Sequence, residues 1–234
     1  MTASGSGALN HYLERETDKQ MVRTKNRPLP AGLINPAEVL SFGVLMVLIG
    51  TTLLVSQINP LTGFIALLTS FLYILVYTPL KKITWLNTSI GSIPGALPIL
   101  GGWTASSGSI DAMAWVLFAI MYLWQHPHFY SIAWICRSDY AEAKLKMLPV
   151  VEPDGNSTIR QIFWHLLLMM PITFLPFIQG TLGLFYLIGA FMITSAFFVS
   201  ALGPFGLLIC ALVPCALCLV PWCKNPVWGF LRYH

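Results

Sequence analysis

Residues 35–57 read NPAEVLSFGVLMVLIGTTLLVSQ, and from Val39 to Val55 no side chain is charged. The opening Asn35-Pro36-Ala37-Glu38 supplies a helix N-cap, a proline at the first helical position and an acid at N3. At 1.5 Å per residue such a helix crosses the hydrocarbon core of a bilayer, which takes ~17–25 residues. The pattern recurs at 60–78, 86–103, 110–135, 158–177, 181–202 and 204–222, with the few charges, Glu38, Asp111 and Arg160, at starting edges. There an ionised group still reaches headgroups and water. Across all 234 residues 56% are hydrophobic and 9% charged, with mean hydropathy +0.71, against roughly 25% charged in a soluble domain. A water-facing globular fold is excluded. The expected fold is an all-α, polytopic membrane helical bundle, with 1–234 as a single membrane domain.

Met1 to Leu9 is small and polar, lacking the basic region and apolar run of a signal peptide. Five cysteines, Cys136, Cys210, Cys215, Cys218 and Cys223, include one C-x-x-C pair in an apolar stretch. With no second pair to complete a zinc site, they read as small packing residues.

Alternating seven spans puts segment 10–35, loop 79–86, loop 136–157 and the turn at 203 on one side. That side holds Arg15, Lys19, Arg23, Lys25, Arg27, Lys81, Lys82, Arg137, Lys144, Lys146 and Arg160, leaving only Lys224 and Arg232 opposite. All acids except Asp111 share it. By the positive-inside rule this face lies in the cytoplasm of a bacterial inner membrane, or in the matrix at a mitochondrial inner membrane.

Asn59-Pro60 repeats the cap-and-proline start, and Ser109 is expected to cap the fourth span. The third carries Gly91-Ser-Ile-Pro94-Gly95-Ala-Leu-Pro98 and Gly101-Gly102. Prolines there predict a kink, with freed carbonyls finding partners, and small residues suit either close helix packing or the wall of a cavity.

Candidate chemistry gathers on the charged face. Asn10, Glu14 and Asp18 stand at i, i+4 and i+8, which aligns three oxygen-bearing side chains on one helical face, neighbours about 6 Å apart. A solvated helix end with ion pairs has the same spacing. A hard cation also fits, since Mg²⁺ binds through one or two carboxylates plus substrate phosphates. Arg23-Thr-Lys25-Asn-Arg27 follows directly, and metal-binding acids beside forked cations describe a diphosphate site. The cations alone would equally serve topology or anionic lipid. A second cluster, Arg137-Ser138-Asp139-Tyr140-Ala141-Glu142, lies on the same face, with Tyr77-Thr-Pro-Leu-Lys81-Lys82 between them.

Taken in order, Asn10…Glu14…Asp18 with Met21 and Arg23-Thr-Lys-Asn-Arg27-Pro, Tyr77-Thr-Pro-Leu-Lys81-Lys82, Gly95-Ala-Leu-Pro98 with Gly102-Trp103, Trp124-x-x-Pro127-His128-Phe129, and Asp139-Tyr140 with Met147-Leu-Pro-Val-Val resemble the protoheme IX farnesyltransferases (haem O synthases). That family belongs to the UbiA-type intramembrane aromatic prenyltransferase superfamily. The resemblance implies transfer of a farnesyl group from farnesyl diphosphate to a vinyl group of protohaem IX, with water added, giving haem O. It also implies Mg²⁺ held by Glu14, Asp18 and Asp139, with Asn10 as an auxiliary ligand. Arg23, Arg27, Lys81, Lys82 and Arg137 would meet the diphosphate, and Tyr77 would steady an allylic cation. His128 sits on the family pattern as a contact for haem, where the neighbouring His126 is a second candidate ligand; a bond to a backbone carbonyl is the commoner fate of a buried histidine. The implied partners are farnesyl diphosphate, protohaem IX, the lipid bilayer and a downstream haem-modifying enzyme, with no nucleic acid.

The family pattern has nine spans, the first acidic motif closing the second. Residues 1–18 therefore read as the end of an eighth, truncated helix, 19–35 and 136–157 as loops, and the chain as short by its first span and most of its second. Ser138 stands where the family usually has an acid, leaving Glu142 to substitute in part, and 203–234 lack the family's basic residues. The competing expectations are prenylation of another aromatic acceptor, or an inactive shortened relative acting as a non-catalytic membrane subunit.

Overall fold

The computed structural model describes residues 1–202, and these form helices without a strand. The helices are α1 (Thr2–Asp18), α2 (Pro36–Gln57), α3 (Pro60–Phe71), a π-helical turn (Leu72–Tyr77), α4 (Thr78–Leu80), α5 (Asn87–Ser107), α6 (Ala112–Ile135), α7 (Arg137–Glu142), α8 (Leu148–Val151), α9 (Asn156–Ile178) and α10 (Leu184–Leu202). Six predicted spans coincide with α2, α3 to α4, α5, α6, α9 and α10. The seventh, 204–222, lies outside the described residues with Cys210, Cys215, Cys218, Cys223, Lys224 and Arg232.

Consecutive long helices pack as antiparallel neighbours, and α1 lies along α2. The contact between α1 and α2 is close because both present glycine: a Cβ on Gly5 would stand 2.7 Å from the Gly43 carbonyl oxygen. Side chains are distributed inside out. Phe42, Leu45, Leu48 and Leu53 of α2 are exposed, while Asn10, Thr62, Ser92, Thr104, Gln125 and Ser131 are buried. Only a solvent of lipid favours that arrangement, so this is an integral membrane protein.

By length and apolarity, Pro36–Gln57, Pro60–Leu80 and Asn156–Ile178 qualify outright as membrane spans among the described residues. The equally long α5 and α6 fall short of the expectation because Asn87, Thr88, Ser92, Gln125 and His126 lower their hydropathy; all five are buried in the bundle. The apolar part of α10, Leu184–Val199, is shorter.

Asn35 Oδ1 accepts from Ala37 N at 2.9 Å and Asn59 Oδ1 from Thr62 N at 2.8 Å, as the cap signals require. The fourth span corrects the sequence reading. Its cap is Asp111, not Ser109: Asp111 Oδ1 accepts from Met113 N (3.0 Å) and Ala114 N (3.1 Å), and Oδ2 from Trp103 Nε1 (3.1 Å). A carboxylate serves both helix N–H groups and the indole, so it displaces the hydroxyl two residues earlier. α5 continues as one helix through Pro94 and Pro98.

Three loops meet on one face. Met21 from segment 19–35 packs with Ala133, Ala143, Leu145 and Met147. Lys146 N donates to the Lys81 carbonyl at 2.8 Å, and Asn87 Nδ2 to the Lys146 carbonyl at 3.0 Å. Segments 19–35, 79–86 and 136–157 thus form a single cap over one end of the bundle, as alternating spans predicted.

Candidate functional site

Beneath this cap a cavity of about 930 Å³ opens between α1, α3 to α4, α5 and α6. Its polar end is built from the row on α1. Asn10, Glu14 and Asp18 all face it, since positions four apart share a helical face. Glu14 Oε1 accepts from Lys81 Nζ at 2.8 Å, and Asp18 Oδ2 from Arg27 Nη1 at 2.8 Å. Asp18 is only 1% exposed, and its carbonyl also accepts from Thr24 Oγ1 at 2.9 Å, which folds segment 19–35 back over the helix end.

Lys81 Nζ also lies 4.6 Å from the centre of the Tyr77 ring. Burial by itself would lower the lysine's pKa, but Tyr77 and Glu14 hold its ammonium above the ordinary value. Arg23 is treated alike. Burial opposes its charge, yet the Tyr140 phenol, whose oxygen is 3.4 Å from Nη2, together with Cys136 and Asp139, holds its pKa above the ordinary value. Cations are therefore fixed at this end at any physiological pH.

The next wall comes from the π-helical turn. One extra residue in the hydrogen-bonded ring re-aims the side chains around it, and Tyr73 and Tyr77 both line the cavity with ring centroids 5.8 Å apart. Thr78 Oγ1 closes the turn, donating to the Tyr73 carbonyl at 2.9 Å, and receives Asn10 Nδ2 at 3.1 Å. Asn10 is thereby tied to the turn through its amide nitrogen.

Deeper, α5 contributes Gly91, Pro94, Gly95, Pro98, Gly101 and Gly102, so its small residues line the cavity as well as permitting close approach. A Cβ on Gly91 would fall 2.4 Å from the Tyr77 ring. Opposite, α6 presents Gln125, Phe129 and Ile132, spaced four and three apart on one face.

The structure thus gathers Asn10, Glu14, Asp18, Arg23, Arg27, Tyr77 and Lys81 in one wall. It leaves four expected residues off the lining. Asp139 stands on α7, half-buried, where its charge acts on Arg23. Arg137 is exposed, donates to the Trp134 carbonyl at 3.0 Å and covers the Trp134 ring at 4.9 Å. Lys82 is exposed. His128 stacks on Trp124 at 5.3 Å. His126 is buried away from the cavity, with Nδ1 2.8 Å from the Tyr122 carbonyl it donates to and its ring stacked on His165 at 3.8 Å.

For a metal, no group of three or more His, Cys, Asp or Glu close enough to hold one occurs among the described residues. The trio Glu14, Asp18 and Asp139 is not assembled, because α7 turns Asp139 toward segment 19–35. Glu14 and Asp18, one turn apart on the cavity wall, do fit the mode in which Mg²⁺ is shared between one or two carboxylates and substrate phosphates. Sequence reasoning missed Tyr73, Tyr140 and Gln125 as lining residues. Tyr140 was visible only as a motif neighbour of Asp139, and the π-helical turn has no sequence signal of its own.

Known proteins share these features. A profile of the UbiA prenyltransferase family matches residues 1–207. The protoheme IX farnesyltransferase of Solibacter usitatus is 44% identical over 200 residues, which is 86% of this chain and 68% of that protein. The one from Salinibacter ruber is 48% identical over 189 residues, 81% of this chain and 67% of that protein. The chain thus spans about two thirds of the length of these relatives. Among solved structures, a digeranylgeranylglyceryl phosphate synthase superposes with TM-score 0.71 at 20% identity, covering 93% of this chain and 77% of that one. A UbiA homologue from Aeropyrum pernix gives 0.70 at 16% identity, covering 93% and 85%. With the helical bundle, the capped cavity and the matched residues in agreement, the chain belongs to the UbiA prenyltransferase family, with protoheme IX farnesyltransferases as its relatives.

Proposed function

We propose that the protein transfers the farnesyl group of farnesyl diphosphate to a vinyl group of protohaem IX, with addition of water, to make haem O. The observation that carries this is a single cavity whose one end holds two largely buried acid–cation pairs and whose remainder is mainly aromatic, small and apolar. An allylic diphosphate has the same two ends.

The diphosphate would lie against Lys81, Arg27 and Arg23, whose fixed charges stabilise the leaving group as its negative charge grows. Mg²⁺, when bound with Glu14 and Asp18, would neutralise further phosphate charge. Asn10 steadies this end through Thr78. Tyr77 and Tyr73 offer ring faces to the allylic cation that departure of the diphosphate creates. The cap of segments 19–35 and 136–157 keeps bulk water from quenching it. Asp139 would work at one remove, through its charge near Arg23; Arg137, Lys82 and His128 would belong to the rim, where Arg137 and Lys82 would draw the anionic substrate toward the mouth and His128 would meet the haem edge. The charged face is oriented to the cytoplasm or matrix, and a lipid-soluble product passes on through the bilayer to a haem-modifying enzyme.

The test is the purified full chain in lipid nanodiscs with farnesyl diphosphate, haem B and Mg²⁺, read by mass spectrometry of extracted haems. Haem O from the wild type and none from Asp18→Ala is the expected outcome. Turnover by Asp18→Ala equal to wild type refutes the site, and product from another aromatic acceptor in preference to haem refutes the acceptor.

A further inference from the structure

Among the polar groups of the cavity wall that the mechanism above leaves unused is a carboxamide on α6. Gln125 lies in the middle of α6, 5% exposed, and lines the cavity. Its amide nitrogen donates to two backbone carbonyls, Ser92 at 3.3 Å and Met121 at 3.2 Å. Two acceptors on that side fix which end of the carboxamide is nitrogen. Oε1 is therefore directed the other way, toward Gly95, where an added Cβ would come within 1.9 Å of it. No donor among the described residues reaches Oε1, and it is not among the enclosed polar atoms lacking a partner. A buried amide has thus been clamped so that a single acceptor faces the cavity, through a notch that only glycine leaves open.

Its depth is informative. Gly91 abuts the Tyr77 ring and Gly95 abuts Gln125, so the acceptor stands one helical turn, about 6 Å, deeper than Tyr77. With the diphosphate at Lys81, that is the level of the first carbons of the prenyl chain and of the vinyl group that joins them.

We infer that Gln125 Oε1 orients the water that completes the reaction. This rests on the function proposed above. The bond from C1 of the farnesyl group to oxygen breaks, its electron pair leaving with the diphosphate. The vinyl π pair forms the new carbon–carbon bond to C1, and positive charge moves to the vinyl carbon next to the macrocycle. A water donating one hydrogen bond to Oε1 turns a lone pair toward that carbon, forms the carbon–oxygen bond, and gives up a proton that departs with the released diphosphate. Without an oriented water the same cation loses a proton from its neighbouring CH₂ and yields an alkene, lighter than haem O by one water. An acceptor clamped at that level of the wall decides between the two products.

The test compares product ratios in the nanodisc assay. Gln125→Met keeps the side-chain length and removes the acceptor; Gly95→Ala keeps the acceptor and pushes it out of its notch. Both should shift the ratio of hydroxylated to alkenyl farnesyl-haem by about tenfold toward the alkene, the scale set by one lost hydrogen bond, whatever happens to the total rate. Gly95→Ala decides the matter if Gln125→Met does not fold. Wild-type haem O with an unmoved ratio in the folded variants overturns this role for Gln125 alone. No farnesylated haem of either kind from the wild type removes the proposed function, and this inference with it.

Discussion

Replacing Glu14 by Gln isolates the energetics of the charged end. Glu14 and Lys81 meet at 2.8 Å with side chains 13% and 15% exposed, a nearly buried pair. Removing one partner of such a pair typically costs about 3–5 kcal/mol, because the other charge stays in a low-dielectric site. Here the loss is moderated by the Tyr77 face, 4.6 Å from the ammonium, a contact of roughly 0.5–2 kcal/mol. Glu14→Gln, which leaves the ammonium on that face, should therefore destabilise by about 2–3 kcal/mol, and Lys81→Met, which loses the face and orphans the carboxylate, by about 3–5 kcal/mol. The double variant leaves no orphaned charge and should lie within about 1 kcal/mol of wild type, giving a coupling of several kcal/mol. Denaturant titration of the four proteins in mixed micelles measures this directly. Additive single losses would show that the two side chains do not interact as described. Turnover separates from stability in the same set: all three variants should lose activity, including the stable double one, since the proposed mechanism sets both Glu14 and Lys81 against the metal diphosphate.

Other parts of the molecule respond differently. Gly91→Ala puts a Cβ 2.4 Å from the Tyr77 ring and should lower kcat at least tenfold while diphosphate affinity, measured by equilibrium dialysis, changes little. Asp111→Ala removes the cap of α6 and the Trp103 contact, so it should cost about 1–2 kcal/mol of stability and leave KM alone. Because Lys81 is held above its ordinary pKa, its contribution is complete below the normal lysine range near 10.4 and is lost only as pH rises through the higher folded value. Stability should consequently not fall between pH 7 and about 10 through this group; a midpoint that drops there in wild type but not in Lys81→Met contradicts it.

Periodicity and caps made most of the bundle legible. The Asn-Pro starts at 35–36 and 59–60 mark real helix ends because an Asx side chain satisfies the first N–H groups locally. Local too is the row Asn10, Glu14, Asp18, where helical geometry alone brings the side chains to one face. Whatever depended on tertiary direction was not legible. Asp139 sits beside Tyr140 in sequence, yet Tyr140 lines the cavity and Asp139 does not, because a six-residue helix offers no period long enough to say which face points inward. Ser109 lost the cap of α6 to Asp111, which has a third donor, Trp103 Nε1, brought to it across the turn.

The same logic explains why the weakest membrane signals matter most for function. α2 and α9 carry enough apolar surface to satisfy lipid on their own. α5 and α6 do not, since Ser92, Gln125 and the glycines and prolines of 91–102 replace apolar side chains along them. A helix of that composition is tolerable in a bilayer only where neighbours accept its polar groups. Gln125 meets that requirement by bonding the Ser92 and Met121 carbonyls, and Asn10 meets it through Thr78. Both amides line the cavity. Of the polar groups that cost insertion energy on α5 and α6, Thr88 and Gln125 line the cavity, so low hydropathy within a bundle of apolar helices goes with the helices that wall it.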